Sequence, residues 1–254
     1  MNRYVCWCCE YDKSSGEGQL ARIFLDYLTE KNIKVISPKL KFYLSDYFYQ
    51  LFGILVIWYY YIRGKKVIYL NYLPLWNSLI FLLSPPNTIF GPITGSIQIN
   101  EIQNINSFIR AKIMPFFYHL SLKILDFRLK RIIFATNILN KFINRKIKKK
   151  SVINFIPNNY KIKINKKKFK RKFDIVIYYR NHQNKFGEHH KKFIREQINL
   201  KKKIIIIGDK ININGSVHLG RLDKKVLMKI LKRSKFCLSG DDNLLSLFNL
   251  ECIK

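Results

Sequence analysis

The feature that most constrains the fold is an alternation of short apolar runs with longer amphipathic segments. Residues 3–9 form an apolar run typical of a buried strand, and residues 19–31 carry apolar side chains at helical spacing. A loop with serines and glycines joins them, and residues 34–38 form the next strand-like run. Strand, glycine loop, helix and strand in this order predict a doubly wound α/β domain with a parallel sheet.

The alternation continues in two blocks. In the first block, further helices are predicted at 46–63, 75–83, 108–131 and 137–144, and further strands at 67–71, 88–91 and 131–135. In the second block, strands are predicted at 173–179, 203–207, 216–219 and 235–239, and helices at 187–199, 224–233 and 244–251.

A basic stretch separates the blocks. Residues 161–172 contain eight Lys or Arg and follow Pro157 and two asparagines, which is typical of an exposed linker. We therefore predict an α/β fold with two Rossmann-like lobes, residues 1–150 and 173–254, joined by a linker at 151–172. The second lobe is expected to be incomplete, because the chain stops three residues after Glu251.

The formal net charge of +31 over 254 residues points to an anionic partner. Nucleic acid, an anionic membrane surface and phosphorylated substrates all fit such a charge. The sequence shows no zinc-finger spacing, no aromatic RNA-binding motif and no helix-turn-helix, so nucleic acid is not predicted.

Five cysteines and no secretory signal favour reduced thiols in the cytoplasm. The cluster at residues 6–9 lacks a CxxC pair, so its cysteines are predicted to be small buried residues of the first strand. The uncharged run 47–62 is short for a membrane span, and the run 67–100 is broken by prolines and glycines. Both are predicted to belong to a buried α/β core.

The first loop of interest reads KSSGEGQLAR, between the first strand and the first helix. Gly16 and Gly18 would let backbone amides approach an anion at the amino terminus of that helix. The loop is neither GxGxxG nor a Walker motif. A structural glycine at a strand-to-helix turn is an equally good interpretation.

The second loop reads YYRNHQNK and follows the first strand of the second block. Arg180 and Lys185 could hold a diphosphate there, Arg as a planar fork and Lys as a point charge. The alternative is a solvated loop in a lysine-rich protein, which explains Lys185 more easily than Arg180.

The third feature reads DDNLLSLFNLE and opens the last helix. Asp242 stands where a helix cap would, and Glu251 lies about two and a half turns further along. Carboxylates at this point could accept hydrogen bonds from sugar or ribose hydroxyls. Simple capping for Asp242 and a solvated helix face for Glu251 are the alternatives.

Together these features resemble GT-B-fold glycosyltransferases, specifically the retaining, nucleotide-sugar-dependent group that builds bacterial surface polysaccharides. The similarity covers nearly the whole chain, and the order and spacing of the pieces carry it more than any single piece. In chain order the matching segments are SSGEGQLARIF, NYLPLWN, IFGPITGS, IFATNIL, DIVIYYRNHQNK, VHLGRLDKKVLMKILKRSKFCLS and DDNLLSLFNLE.

The resemblance implies a role for each of these loops. The N-terminal lobe would bind the acceptor, and Gly16 and Gly18 would lie near the donor phosphates or the acceptor. In the C-terminal donor lobe, Arg180 and Lys185 would hold the diphosphate and stabilise it as it leaves.

The acidic residues match the family in part. Glu251 would match the second acid of the family's paired-glutamate motif, which contacts the ribose. Asn243 stands at the position of the first glutamate, and Asp242, one residue away, would be the acid near the donor sugar.

The activity implied is transfer of a sugar from a nucleoside diphosphate donor to a lipid-linked or saccharide acceptor, with retention of configuration. The family generally needs no bound metal, and no cofactor is predicted. The basic amphipathic helix at 108–131 and the linker would favour peripheral association with an anionic inner membrane face. A core helix with a solvated basic face is an equally good interpretation of 108–131. Two alternatives are an inactive, truncated remnant of such an enzyme and a basic module that binds polyanions or membranes.

Overall fold

A computed structural model describes residues 2–12, 16–28, 32–38, 46–71, 73–95, 105–135, 137–153, 170–179, 188–239 and 247–253. The chain separates into two compact units, Met1–Tyr160 and Lys161–Lys254.

A four-stranded parallel sheet forms the centre of the first unit. Its strands are β1 (Tyr4–Cys8), β2 (Ile33–Ile36), β3 (Lys66–Leu70) and β4 (Ile89–Phe90), in the order β2-β1-β3-β4. Tyr4 pairs with Ile33 on one side and with Lys66 on the other. A central first strand flanked by the second and third is the doubly wound arrangement expected from the sequence.

Helices cover both faces of this sheet, which explains why its strands are largely apolar. The helices are α1 (Gly16–Tyr27), α2 (Asp46–Ile62), α3 (Ser78–Leu83), α4 (Ile105–Phe108) and α5 (Met114–Arg128). Cys6 and Cys8 pack with Phe24 of α1 on one face, whereas Trp7 packs with Ile57 of α2 on the other. This alternation follows from the two-residue period of a strand.

A second, two-stranded parallel sheet in this unit lies partly inside the predicted linker. Strand β5 (Ile132–Phe134) pairs with β6 (Ser151–Ile153), and helix α6 (Arg145–Lys149) joins them after a 3-10 turn at Asn137–Phe142. Asn144 caps α6 by accepting a hydrogen bond from the Ile147 amide at 2.8 Å. The sequence predicts no helix at Arg145–Lys149, where basic residues surround Ile147 on both sides, but this one isoleucine is buried and anchors the helix.

The second unit contains another four-stranded parallel sheet. Its strands are β7 (Phe173–Tyr179), β8 (Ile204–Gly208), β9 (Val217–His218) and β10 (Ser234–Ser239), in the order β10-β7-β8-β9. Helix α7 (Glu188–Asn199) packs on one face of the sheet, and α8 (Lys224–Leu231) and α9 (Leu247–Ile253) pack on the other.

The predicted α/β class with two Rossmann-like units is therefore confirmed. The predicted long helix at 108–131 begins at Ile105, ends at Arg128 and contains a π-helical turn at Ile109–Ile113. In the part of the chain that the structure describes, no helix is both long and apolar enough to cross a membrane.

Candidate functional site

The two glycines predicted to approach an anion lie at the start of α1. Gly16 is the first residue of the helix, and Gly18, two residues further along, is buried. A Cβ atom at Gly18 would lie 2.0 Å from the carbonyl oxygen and 2.6 Å from the amide nitrogen of Asp12. A glycine is required there because the helix touches the backbone that follows β1. This contact accounts for Gly18 without a ligand, and residues 13–15 lie outside the described residues.

A partly buried polar cluster joins the carboxyl ends of β1 and β3. The Asn71 side-chain amide donates to the Glu10 carbonyl at 2.7 Å, and the Cys8 thiol donates to Asn71 Oδ1 at 3.0 Å. Asn71 adopts a left-handed φ of 56°, which asparagine tolerates better than most residues. Burial raises the pKa of the Cys8 thiol to about 12, so this thiol is a hydrogen-bond donor and not a nucleophile.

The cluster extends to α1 through Arg22. The Arg22 guanidinium donates to the Tyr11 carbonyl at 2.6 Å and lies 3.8 Å from the centre of the Tyr11 ring. Glu10, whose carboxylate accepts from the Asp12 amide at 3.2 Å, is itself buried. Carboxylate, amide and guanidinium groups thus meet at the carboxyl edge of the first sheet, where α/β folds commonly bind ligands.

The remaining predicted binding loops follow two adjacent strands of the second sheet. Strands β7 and β10 are parallel neighbours, and Tyr178 near the end of β7 pairs with Ser239 at the end of β10. The loop after β7 contains the two cations predicted for the site, and the loop after β10 contains an aspartate and an asparagine predicted to contact the donor sugar. Those residues, Arg180, Lys185, Asp242 and Asn243, lie outside the described residues.

Glu251 is the acidic residue of the predicted set that the structure describes, and it is buried. Its carboxylate lies 3.0 Å from the Lys224 ammonium, at the first residue of α8. The solvated face considered above is therefore wrong for Glu251, because α8 covers this part of α9.

Two further contacts hold α9 in place. The Phe248 ring stacks on the Tyr178 ring at 5.1 Å, close to the end of β7. The thiols of Cys252 in α9 and Cys237 in β10 are hydrogen-bonded, which lowers the pKa of Cys237 and raises that of Cys252. Glu251 is thus attached to the same strands that precede the two predicted loops.

The end of β8 completes this edge of the second sheet. Gly208 has a φ of 107°, and a Cβ atom there would lie 2.1 Å from the Tyr179 carbonyl oxygen. The next residue, Asp209, accepts from the Arg221 guanidinium at 2.9 Å. The backbone at this edge is therefore closely packed.

Among the described residues, no three His, Cys, Asp or Glu side chains are grouped closely enough to hold a metal ion.

Glu251→Gln is expected to lower the free energy of unfolding by about 1 kcal/mol, because the amide keeps the shape but loses the charge that faces Lys224. A double-mutant cycle with Lys224→Met, measured by circular dichroism in denaturant, isolates the coupling between the two side chains. Glu196→Gln, on the exposed face of α7, is the matched control. Equal losses from the two glutamine substitutions would contradict a structural ion pair.

Comparisons with known proteins leave the family open. No protein-family model matches the chain, and no curated protein matches it. Among solved structures, the E. coli heptosyltransferase WaaC with ADP-2-deoxy-2-fluoro heptose is 11% identical with a TM-score of 0.35, over 98% of this chain and 85% of that chain. Anabaena Alr3699/HepE in complex with UDP and glucose is 8% identical with a TM-score of 0.41, over 98% of this chain and 88% of that chain. Similarity at this level establishes neither a shared fold nor an activity.

Proposed function

We propose that the chain is a glycosyltransferase of the GT-B type. In this proposal it moves a sugar from a nucleoside diphosphate sugar to a lipid-linked or saccharide acceptor in surface polysaccharide synthesis. The second unit would bind the donor, and the first unit would bind the acceptor. Support comes from the order of the sequence motifs and from the two parallel α/β units in which they lie.

The observation that carries the proposal is the adjacency of β7 and β10. Arg180 and Lys185 follow one of these strands, and Asp242 and Asn243 follow the other. Loops that leave neighbouring parallel strands at the same edge of a sheet can act on one ligand. Cations from one loop would hold the diphosphate, and polar side chains from the other would accept hydrogen bonds from the sugar.

The cations have a chemical role as well as a binding role. As the bond to the sugar breaks, negative charge grows on the leaving diphosphate. Arg180 and Lys185 would stabilise that charge more strongly in the transition state than in the bound donor, which accelerates the reaction. Retention of configuration is the outcome that the resemblance implies, and NMR of the anomeric proton in the first-formed product tests it.

In this proposal Glu251 supports the donor site by holding α9 in place, in addition to any contact with the ribose. Its burial and its ion pair with Lys224 fix α9 against α8, and Phe248 fixes the same helix against the end of β7. A ribose hydroxyl bound by this carboxylate would have to share it with the Lys224 ammonium. Glu251 is therefore proposed as a positioning residue for the loop that contains Asp242 and Asn243.

The test is binding and turnover with a panel of nucleoside diphosphate sugars that covers uridine, guanosine, adenosine and thymidine nucleotides. We expect the donors of one nucleotide to bind clearly more tightly than the others in calorimetry. Without an acceptor, the bond between the sugar and the diphosphate of that donor should be hydrolysed slowly. Equal, salt-sensitive binding of all of them and of heparin would instead indicate a module that binds polyanions. Selective binding without any turnover would favour the inactive remnant.

A further inference from the structure

Three helices on one face of the first sheet leave an apolar surface in solvent. Helices α2, α3 and α5 pack inward through Ile57, Phe81 and Leu125. Their outward side chains are also large and apolar, although an outer helix face in a soluble domain is normally polar. The residues that form this surface, called here the apolar helical face, are Leu55, Tyr59, Ile62, Leu82, Leu83 and Phe127.

Contacts between the helices make this surface continuous. The Trp58 indole of α2 donates to the Leu83 carbonyl of α3 at 2.6 Å. The Arg128 guanidinium of α5 donates to the Phe81 carbonyl at 3.0 Å and also to the Leu82 and Ser84 carbonyls. The carboxyl-terminal ends of all three helices are therefore joined, and the exposed apolar side chains belong to neighbouring helices.

Basic residues follow these helix ends. Arg63 comes after Ile62, and Lys130 and Arg131 come shortly after Phe127; all three are exposed. The Arg63 guanidinium lies 3.8 Å from the centre of the Tyr59 ring. The acidic residue of α5, Asp126, is paired with Lys146 at 2.7 Å and with Lys150. The charge beside the apolar helical face is therefore positive.

We propose that the apolar helical face binds the surface of an anionic lipid bilayer. Apolar side chains would enter the boundary between headgroups and acyl chains, and the flanking cations would meet lipid phosphates. Tyr59 adds an exposed amphipathic ring of the kind that favours this boundary. A second copy of the chain fits less well, because two equally basic margins would face each other.

This surface shares only the carboxyl-terminal end, residues 127–131, of the basic helix that the sequence predicted at 108–131. The Arg128 guanidinium of that helix donates to the Phe81 and Ser84 carbonyls. The inference rests on the proposed function insofar as a peripheral enzyme needs a surface that meets lipid. Vesicle binding requires no sugar donor, however, so either proposal can fail while the other stands.

The test is flotation of the full chain with vesicles of phosphatidylglycerol and phosphatidylethanolamine, with phosphatidylcholine vesicles for comparison. The variant I62N/L82N/F127N replaces side chains that are 77%, 51% and 93% exposed. The control L200N/V217N/F236N replaces side chains of the second unit that are 63%, 56% and 69% exposed. We expect the first variant to lower the partition coefficient at least about tenfold and the control to leave it nearly unchanged.

A second pair of variants, both with two charges reversed, separates docking of this face from diffuse attraction by a chain of net charge +31. R63E/K130E should weaken binding to anionic vesicles about tenfold or more, whereas K192E/K202E, with the same change in net charge, should have a much smaller effect. Equal losses from both members of either pair would overturn the proposal. A dimer in lipid-free sedimentation that I62N/L82N/F127N dissociates would assign the face to a second copy and overturn it too.

Discussion

Gly208→Ala is expected to lower the free energy of unfolding by roughly 3 kcal/mol or more. Gly208 ends β8 with a φ of 107°, which side chains other than glycine rarely adopt. The added methyl group would also lie 2.1 Å from the Tyr179 carbonyl oxygen. That oxygen accepts a hydrogen bond from the Asp209 amide at 3.0 Å, so it cannot move away without breaking the end of the β7–β8 pair.

Gly220→Ala is the matched control for this substitution. Gly220 has a φ of 70°, and nothing lies within 4 Å of a Cβ atom placed there. Its carbonyl accepts the Gly208 amide at 2.8 Å, so the two glycines face each other across the same edge of the sheet. The control should lose only about 1 kcal/mol, the cost of the left-handed backbone alone. The difference between the two variants therefore measures the steric clash together with the extra backbone cost of a φ of 107° over one of 70°.

The measurement should separate the two units. All three tryptophans, Trp7, Trp58 and Trp76, belong to the first unit, so their fluorescence reports that unit alone. Circular dichroism reports both units, so the loss of stability from Gly208→Ala should be visible in circular dichroism. Equal stability of the two glycine variants would contradict the backbone geometry at the end of β8.

The arrangement of strands and helices could be predicted because its signals are local. Strand β8, for example, is a run of four isoleucines and a glycine in which every residue is buried, and a strand covered on both faces has this composition. The exceptions are α6 and β6, where lysines surround a single buried Ile147 and mask the amphipathic pattern. Local charge was a poor guide there because one buried side chain was enough to anchor the helix.

The candidate site was less predictable because its contacts join distant parts of the chain. Asn71 reaches Glu10 and Cys8 across more than sixty residues, and only the register of β1 against β3 brings them together. The burial of Glu251 likewise depends on α8, whose position the sequence of α9 cannot reveal. Residue types can suggest chemistry, but partners such as Lys224 appear only after the elements have packed.

The prediction that bears most directly on function concerns Arg180. Arg180→Ala is expected to raise the dissociation constant of the preferred nucleoside diphosphate by about tenfold to a hundredfold, because alanine cannot make the charge-assisted, bidentate contact that the proposal assigns to Arg180. The dissociation constant of Arg180→Lys should lie between those of the unchanged protein and Arg180→Ala, since lysine keeps the charge but not the planar fork. Calorimetry with the nucleoside diphosphate and with the corresponding nucleoside measures the effect.

The comparison between these two ligands makes the test specific. If Arg180 holds the diphosphate, the substitution weakens binding of the nucleoside diphosphate and leaves the weaker binding of the nucleoside unchanged. Arg195→Ala, on the exposed face of α7, removes the same charge from the same unit and should have little effect. An equal loss from both arginine variants would mean that binding follows net charge. The loop after β7 would then have no role in recognising the donor.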